Sequence, residues 1–137
     1  MINIMRIKAP KEDQIKPIVD GVIAHGESLV GSNKPSKYAF HLQLDKKLIG
    51  GVVGYRQYDR FYLTHIWVTE DYRNKGYGSH LLRTTEDELK KVDCNSVLLE
   101  TLNKDAINFY KKHGYSVISE IPEYVKGFDL VHFLKAI

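Results

Sequence analysis

The chain has 137 residues, 43% of them apolar, and a formal net charge of +3. This length predicts one domain over residues 1–137, and the mild charge falls short of the concentrated basic face expected of a nucleic-acid-binding protein. No apolar run approaches the ~20 residues that cross a bilayer, and the single Cys94 excludes an internal disulfide, so we expect a cytoplasmic protein without membrane partners.

The N-terminal third predicts a strand, a helix and a long loop. Alternating residues favour a strand over Ile2–Ile7. Apolar residues at helical spacing follow, with Asp13 as the expected N-cap, Pro17 in the first turn and the helix ending near Gly26. The segment Gly26–Lys37 is then predicted to be a loop, and loops of this length are often functional.

The middle of the chain predicts three strands joined by short turns, which is typical of an antiparallel meander. These strands are Tyr38–Leu44, Leu48–Tyr58 and Phe61–Val68. The third is apolar on both faces and is therefore expected at the centre of the sheet.

The last part of the chain alternates helices and strands. A helix is expected from Tyr77 to Lys91 and another from Asn103 to His113, with Ser96–Glu100 as the strand between them. The crossover makes Ser96–Glu100 parallel to the third meander strand. Two further strands are expected at Tyr115–Glu120 and Gly127–Leu134, separated by a break at Ile121–Tyr124. The pattern predicts an α/β domain around one mixed sheet.

The loop between the third strand and the next helix is typical of a phosphate site. Its two glycines, Gly76 and Gly78, let backbone N–H groups converge, and the following helix adds its unpaired N–H groups and dipole. The loop lacks the G-x-x-x-x-G-K-[ST] pattern of nucleotide hydrolases. It also departs from the dinucleotide pattern, because Leu81 stands where the third glycine belongs.

The pattern R-x-x-G-x-G, formed by Arg73, Gly76 and Gly78, resembles the GNAT superfamily of N-acetyltransferases. A second motif, Asn103–Tyr115, carries the same resemblance. The resemblance implies a single N-acetyltransferase domain built on a mixed, mostly antiparallel sheet of six to seven strands. It also implies a splayed central parallel pair and helices on both faces.

The resemblance implies acetyl-CoA, or another acyl-CoA, as the donor. Backbone groups of the central strand would bind the pantetheine chain, the Arg73–Ser79 segment would hold the pyrophosphate, and side chains of the later helix would contact the donor. The implied donor-binding residues are Ile66, Val68, Arg73, Asn74, Lys75, Gly76, Tyr77, Gly78, Ser79, Asn103 and Phe109.

Tyr110 is the catalytic residue that the resemblance implies, because it matches a tyrosine that protonates the CoA sulfur. The oxyanion is expected at a backbone N–H near Val68. In the family a base often lies on the central strand. By alternation one face of that strand carries no carboxylate or imidazole: Tyr62, Thr64, Ile66 and Val68.

His65 falls on the opposite face, and Glu70 and Glu100 at strand ends are the remaining candidates for a base. A water relay, or an amine that arrives neutral, is the favoured interpretation. The other histidines show no metal-ligand spacing, so no metal is expected.

The acceptor is expected to be a small-molecule amine, with a protein N-terminus or lysine as alternatives. By the resemblance it enters between Gly26–Lys37 and Ile121–Lys126. These segments or their flanks carry groups that could attract a cation: Glu27, Tyr38, Glu123 and Tyr124. The family also allows a homodimer.

Two other functions remain open at this stage. A non-catalytic acyl-CoA-binding or sensing module would explain the absence of a base on the central strand. A small basic nucleic-acid-binding domain rests on the charge of +3 alone.

Overall fold

A computed structural model describes all residues, 1–137, as two compact units, 1–34 and 35–137. The first contains one helix and the second contains six strands and two helices. In chain order the elements are α1 (Glu12–Val30), β1 (Ser36–Leu44), β2 (Lys47–Gln57), β3 (Arg60–Val68), α2 (Tyr77–Lys90), β4 (Ser96–Thr101), α3 (Lys104–Lys112), β5 (Ser116–Val125) and β6 (Phe128–Ala136).

The first unit corrects three predictions. Ile2–Ile7 forms no strand, because alternation alone supplies no partner for the backbone groups. Helix α1 begins after Lys11, whose N–H donates to Gln14 Oε1 at 3.0 Å, so Asp13 is not the N-cap. Pro17 lies inside the helix rather than in its first turn.

Helix α1 also continues through Gly26 and ends at Gly31, whose φ of 85° suits a residue without a side chain. The predicted long loop is therefore mostly helix and strand. No residue of α1 is buried. Neither this helix nor any other has the length and apolar character needed to cross a bilayer.

The second unit is built on one sheet with the strand order β1-β2-β3-β4-β6-β5. Every neighbouring pair is antiparallel except β3 and β4. That parallel pairing covers only three residue pairs, from Arg60↔Ser96 to Tyr62↔Leu98, after which the two strands diverge. The predicted mixed sheet with a splayed central pair is confirmed.

Both helices of this unit pack on one face of the sheet and build the core there. The fully buried residues of the core come from strands β2, β3, β4 and β6 and from α2, and include Val52, Phe61, Leu82, Leu89, Val97 and Phe133. Residues 35–137 supply helices to this one face. We call the other face of the sheet the uncovered face, since no element of this unit lies over it.

A β-bulge in β3 overturns the predicted alternation. Val53 pairs with His65 and the next residue, Gly54, pairs with Leu63, so Thr64 is the extra residue. Ile66 is paired with the buried Val52 and so faces the core. Tyr62 and His65, which pair with Tyr55 and Val53, therefore share the uncovered face. The prediction that one face carries Tyr62, Thr64, Ile66 and Val68 is therefore wrong, because Tyr62 and Ile66 lie on opposite faces of the strand.

Strand β5 runs through the predicted break at Ile121–Tyr124. The irregularity there is a register shift between Ile121 and Val125, with Glu123 at a φ of 50°. A bulge lets the chain bend without leaving the sheet, which explains why Pro122 does not end the strand.

Candidate active site

The divergence of β3 from β4 exposes a strand edge in the middle of the sheet. The Thr69 N–H donates to Ile49 O at 2.8 Å, so the neighbouring backbone groups of Val68 point away from β2 and into the gap. By the same alternation the backbone groups of Ile66 also face the gap. Both residues line a cavity of about 920 Å³ that opens beside them. An extended ligand chain can therefore pair with this edge as an added strand.

The glycine loop closes one end of that cavity. Gly76 has φ 84° and ψ 0°, a left-handed conformation, and it is the residue from which α2 begins. The N–H groups in the first turn of α2 have no carbonyl partner within the helix, and the helix dipole is positive at this end. Gly78 faces the Phe109 ring, which lies 3.7 Å from the position that a Cβ would occupy. These features together form a cradle for an anion.

Arg73 fixes the loop to the exposed edge. Its Nε donates to the carbonyl oxygen of Val68 at 2.8 Å, and the side chain lines the cavity. Two other predicted residues of the loop, Lys75 and Tyr77, do not line the cavity. Their side chains instead lie 5.5 Å (Lys75 Nζ to ring centroid) and 6.2 Å (ring to ring) from Tyr72. Arg73 is thus the cation of the loop that reaches the cavity.

Helix α3 forms the opposite wall. Asn103 is its N-cap, and its Oδ1 accepts a hydrogen bond from the Asp105 N–H at 3.0 Å. The oxygen of the Asn103 side chain is therefore hydrogen-bonded to the backbone of its own helix. All of the predicted donor-site residues except Lys75 and Tyr77 line this single cavity, as do Trp67, Tyr72, Thr101 and Ala106, which the sequence did not single out.

Tyr110 lies on α3 at the base of the cavity, 5% exposed and edge-on to the Phe109 ring at 5.3 Å. Burial raises the pKa of Tyr110 to about 12. A phenol in a site of low polarity keeps its proton, because its anion would be poorly solvated. The Tyr110 hydroxyl is therefore protonated at neutral pH.

A contact between the two walls was missed in the sequence. The Ser79 hydroxyl lies 2.8 Å from His113 Nε2, linking the first turn of α2 to the end of α3. Burial lowers the pKa of His113, and Arg83 and Lys135 act in the same direction. The only sequence signal was the position of His113 just before Gly114, which looks like an ordinary helix end.

The residues predicted for the acceptor side and for the base lie in several different elements of the structure. Glu27 lies in α1 and Ile121–Val125 is part of β5, so only residues 31–35 and Lys126 of the two expected entry segments lie outside helices and strands. Glu70 lies in a short 3₁₀ turn after β3. Glu100 lies near the end of β4, and its Oε2 is 2.8 Å from His132 Nε2.

Comparison with known proteins adds an independent finding. Residues 8–115 match the acetyltransferase (GNAT) family. The chain is 26% identical over 107 residues to the acetyltransferase Atu2258 of Agrobacterium fabrum, a match that covers 77% of this chain and 78% of that protein.

Solved structures show the same fold. A Bacillus cereus acetyltransferase superposes with a TM-score of 0.88 at 27% identity, over 97% of this chain and 98% of the other. An acetyltransferase from Bacillus anthracis, solved in complex with acetyl coenzyme A, superposes with a TM-score of 0.67 at 23% identity, over 76% of this chain and 64% of that one.

Proposed function

The chain belongs to the acetyltransferase (GNAT) family of acyltransferase enzymes, and on this premise we propose that it acetylates a primary amine directly within a ternary complex with acetyl-CoA. The observation that carries the proposal is the single cavity shared by the exposed edge of β3, the glycine loop and Tyr110. These are the three features that a thioester donor requires: an edge for its chain, a cradle for its phosphates and a proton for its sulfur.

The residues present fit the donor. The left-handed Gly76 and the side-chain-free Gly78 leave room for a pyrophosphate close to the first-turn N–H groups of α2. Arg73 adds a positive charge at the same place, and Ser79 a hydroxyl. Ile66 offers its backbone groups to an amide of the pantetheine chain, and Val68 offers its N–H to the thioester end of that chain.

Acetyl-CoA supplies an acetyl group activated as a thioester. The protein's residues position this thioester and protonate the sulfur that departs. The Val68 N–H, which points into the gap, is placed to hold the oxygen on which negative charge develops. Its carbonyl is occupied by Arg73, which fixes the orientation of this peptide group.

Tyr110 delivers the proton to the departing sulfur. With a pKa near 12 for the phenol and ~8.5 for an ordinary thiol, full transfer in isolation is uphill by ~5 kcal/mol. The hydroxyl must therefore be supplied with a second proton as it releases its own, and the amine nitrogen loses one in the same step. Tyr110 thus acts as a relay between nitrogen and sulfur.

The direct test measures thiol release from acetyl-CoA over a panel of amines that includes small molecules, amino acids and peptides with free N-termini. We expect turnover with at least one primary amine, and a rise in melting temperature with CoA alone. Binding of CoA without turnover of any amine would refute the enzymatic proposal and leave the non-catalytic acyl-CoA-binding module.

A further inference from the structure

The contact between Ser79 and His113 joins the donor cradle to the end of α3. Ser79 lies in the first turn of α2 and lines the donor cavity, whereas His113 does not line it. The Ser79 hydroxyl oxygen is 2.8 Å from His113 Nε2, and the pair is partly buried. His113 therefore acts on a donor through Ser79.

His113 is fixed beside the cradle by its own helix. Its ring centroid lies 4.8 Å from that of the Phe109 ring, and the same Phe109 ring faces Gly78 in the cradle. The His113 backbone N–H donates to the carbonyl oxygens of Phe109 and Tyr110 at 3.2 and 3.0 Å. Both the backbone and the ring of His113 are therefore anchored where Nε2 meets the Ser79 hydroxyl.

The hydrogens of this contact decide what Ser79 offers to an anion. A serine hydroxyl carries one hydrogen. If Ser79 donates it to an unprotonated Nε2, the hydroxyl offers only lone pairs to a ligand. If Nε2 carries a hydrogen and donates it to the Ser79 oxygen, the hydroxyl hydrogen is free to bind a phosphate oxygen. Only the second arrangement helps to hold a pyrophosphate.

The surroundings of His113 favour its neutral form before a donor binds. Arg83 and Glu86 face it from α2, Lys135 faces it from β6 and Lys112 from its own helix. Burial lowers the pKa of His113 most, the three cations lower it as well, and Glu86 opposes them. A neutral imidazole carries one hydrogen on either nitrogen, so both arrangements of the contact are open to the protein without its donor.

A pyrophosphate in the cradle changes this balance in two ways. Its oxygens need hydrogen-bond donors, which selects the arrangement in which Nε2–H donates to Ser79. Its negative charge also favours the doubly protonated imidazole, in which Nε2 always carries a hydrogen. The added proton comes from solvent. Donor binding and proton uptake by His113 therefore strengthen each other, and linkage makes the two effects equal.

We propose that His113 is a positioning residue for the donor, which orients the Ser79 hydroxyl towards the pyrophosphate and takes up a proton when the pyrophosphate binds. The inference rests on the proposed use of acetyl-CoA and adds a determinant of donor affinity that lies outside the cavity. A lower pH tightens donor binding until His113 is protonated in the unliganded protein as well.

The test measures the dissociation constant of dephospho-CoA by calorimetry at about pH 7.5 and about pH 5.5, which bracket the ordinary pKa of histidine. This probe keeps the pyrophosphate of CoA but lacks its 3′-phosphate, a group that itself titrates near pH ~6. We expect the unmodified protein to bind the probe at least ~3-fold more tightly at the lower pH. His113→Gln should bind it equally at both values, because the glutamine amide donates to Ser79 without titrating. The matched control is His80→Gln, at an exposed histidine next to Ser79, which should keep the pH dependence.

Two further variants separate positioning from packing. At about pH 7.5, Ser79→Ala should weaken binding of the probe ~10-fold, the loss of one hydrogen bond to a charged group. His113→Leu should weaken it ~5-fold, because the hydroxyl can then turn back to a carbonyl of its own helix, and His113→Gln should restore most of this loss. The double variant Ser79→Ala and His113→Leu should bind no more than ~2-fold more weakly than Ser79→Ala, since His113 acts through that hydroxyl.

Proton NMR of the His113 ring gives a second readout that needs no variant. The pKa of His113 should be higher with saturating dephospho-CoA than without it. A pKa that is unchanged or lowered would overturn the inference, as would an equal pH dependence in His113→Gln or an additive ~50-fold loss in the double variant. Each of these results leaves acetyl transfer intact.

Binding with the expected pH dependence, but without turnover of any amine, would support this inference and refute the enzymatic proposal. Failure of the unmodified protein to bind either CoA or dephospho-CoA would overturn both. Unchanged melting temperatures without ligand verify that the variants fold.

Discussion

The two glycines of the donor cradle should respond differently to exchange for alanine. Gly76→Ala should lower stability, whereas Gly78→Ala should weaken donor binding. At Gly76, φ is 84° and a Cβ would meet no atom within 4 Å, so the penalty is purely conformational. An L-residue in the left-handed region costs ~1–2 kcal/mol, which for a chain of this size lowers Tm by ~3–8 °C. At Gly78 the backbone is helical and a Cβ would lie at an ordinary 3.7 Å from Phe109, so Tm should be unchanged or slightly raised.

When the donor is added, Gly78→Ala is the variant that we expect to be impaired. A methyl group at position 78 would occupy the approach to the first-turn N–H groups of α2, where we place the pyrophosphate. At 100 times its dissociation constant, CoA stabilises the unmodified protein by ~2.7 kcal/mol, and a tenfold loss of affinity halves this to ~1.4 kcal/mol. Thermal unfolding with and without CoA measures both effects. A full CoA shift in Gly78→Ala, or an unchanged Tm in Gly76→Ala, would refute the corresponding part of this reasoning.

Three other changes test separate parts of the structure. Tyr110→Phe should lower kcat at least ~10-fold while the CoA-induced Tm shift persists. Because the folded state raises the Tyr110 pKa to about 12, the unmodified protein loses free energy of unfolding as pH rises from 10 to 12. In urea unfolding the phenylalanine variant should lose ~2 kcal/mol less of this free energy over the same range. Arg73→Gln should weaken CoA binding by ~10-fold in calorimetry, because it removes the charge and the bond to Val68 O. Lys135→Met should destabilise the fold by ~3 kcal/mol in urea unfolding, since it leaves Glu86, 3% exposed, without its cation, and a second change of Glu86→Leu should recover most of this loss.

The sequence predicted the second unit well where local chemistry decides the structure. The meander, the crossover and the glycine loop follow from periodicity and from residues with special conformations, and the structure has them within one or two residues. Predictions failed where distant contacts or register decide. Ile2–Ile7 alternates like a strand but has no pairing partner, and helix α1 passes through Pro17 and Gly26, two residues that usually end or weaken a helix.

The site was predicted to a similar depth. Both cavity walls follow from motifs, because a phosphate cradle and a helix N-cap are local. The contact between Ser79 and His113 joins residues 34 positions apart, and no periodicity indicates it. The same holds for Glu86 and Lys135, which pair across 49 positions inside the core. Such pairs depend on how α2 lies against α3 and β6.

One extra residue in β3 has the largest consequence for mechanism. Strict alternation sends His65 to the face of the strand away from Tyr62, and on that assumption the central strand has no base. The bulge at Thr64 restores His65 to the face of Tyr62 and Glu100, and Thr64 then supplies the hydrogen-bond geometry that leaves His65 Nε2 open. Bulges are common beside active sites because they redirect a side chain without breaking the sheet. Deleting Thr64 would therefore leave His65 opposite Val53 and on the uncovered face, in a strand of regular alternation, and would remove the hydroxyl oxygen that contacts His65 Nδ1.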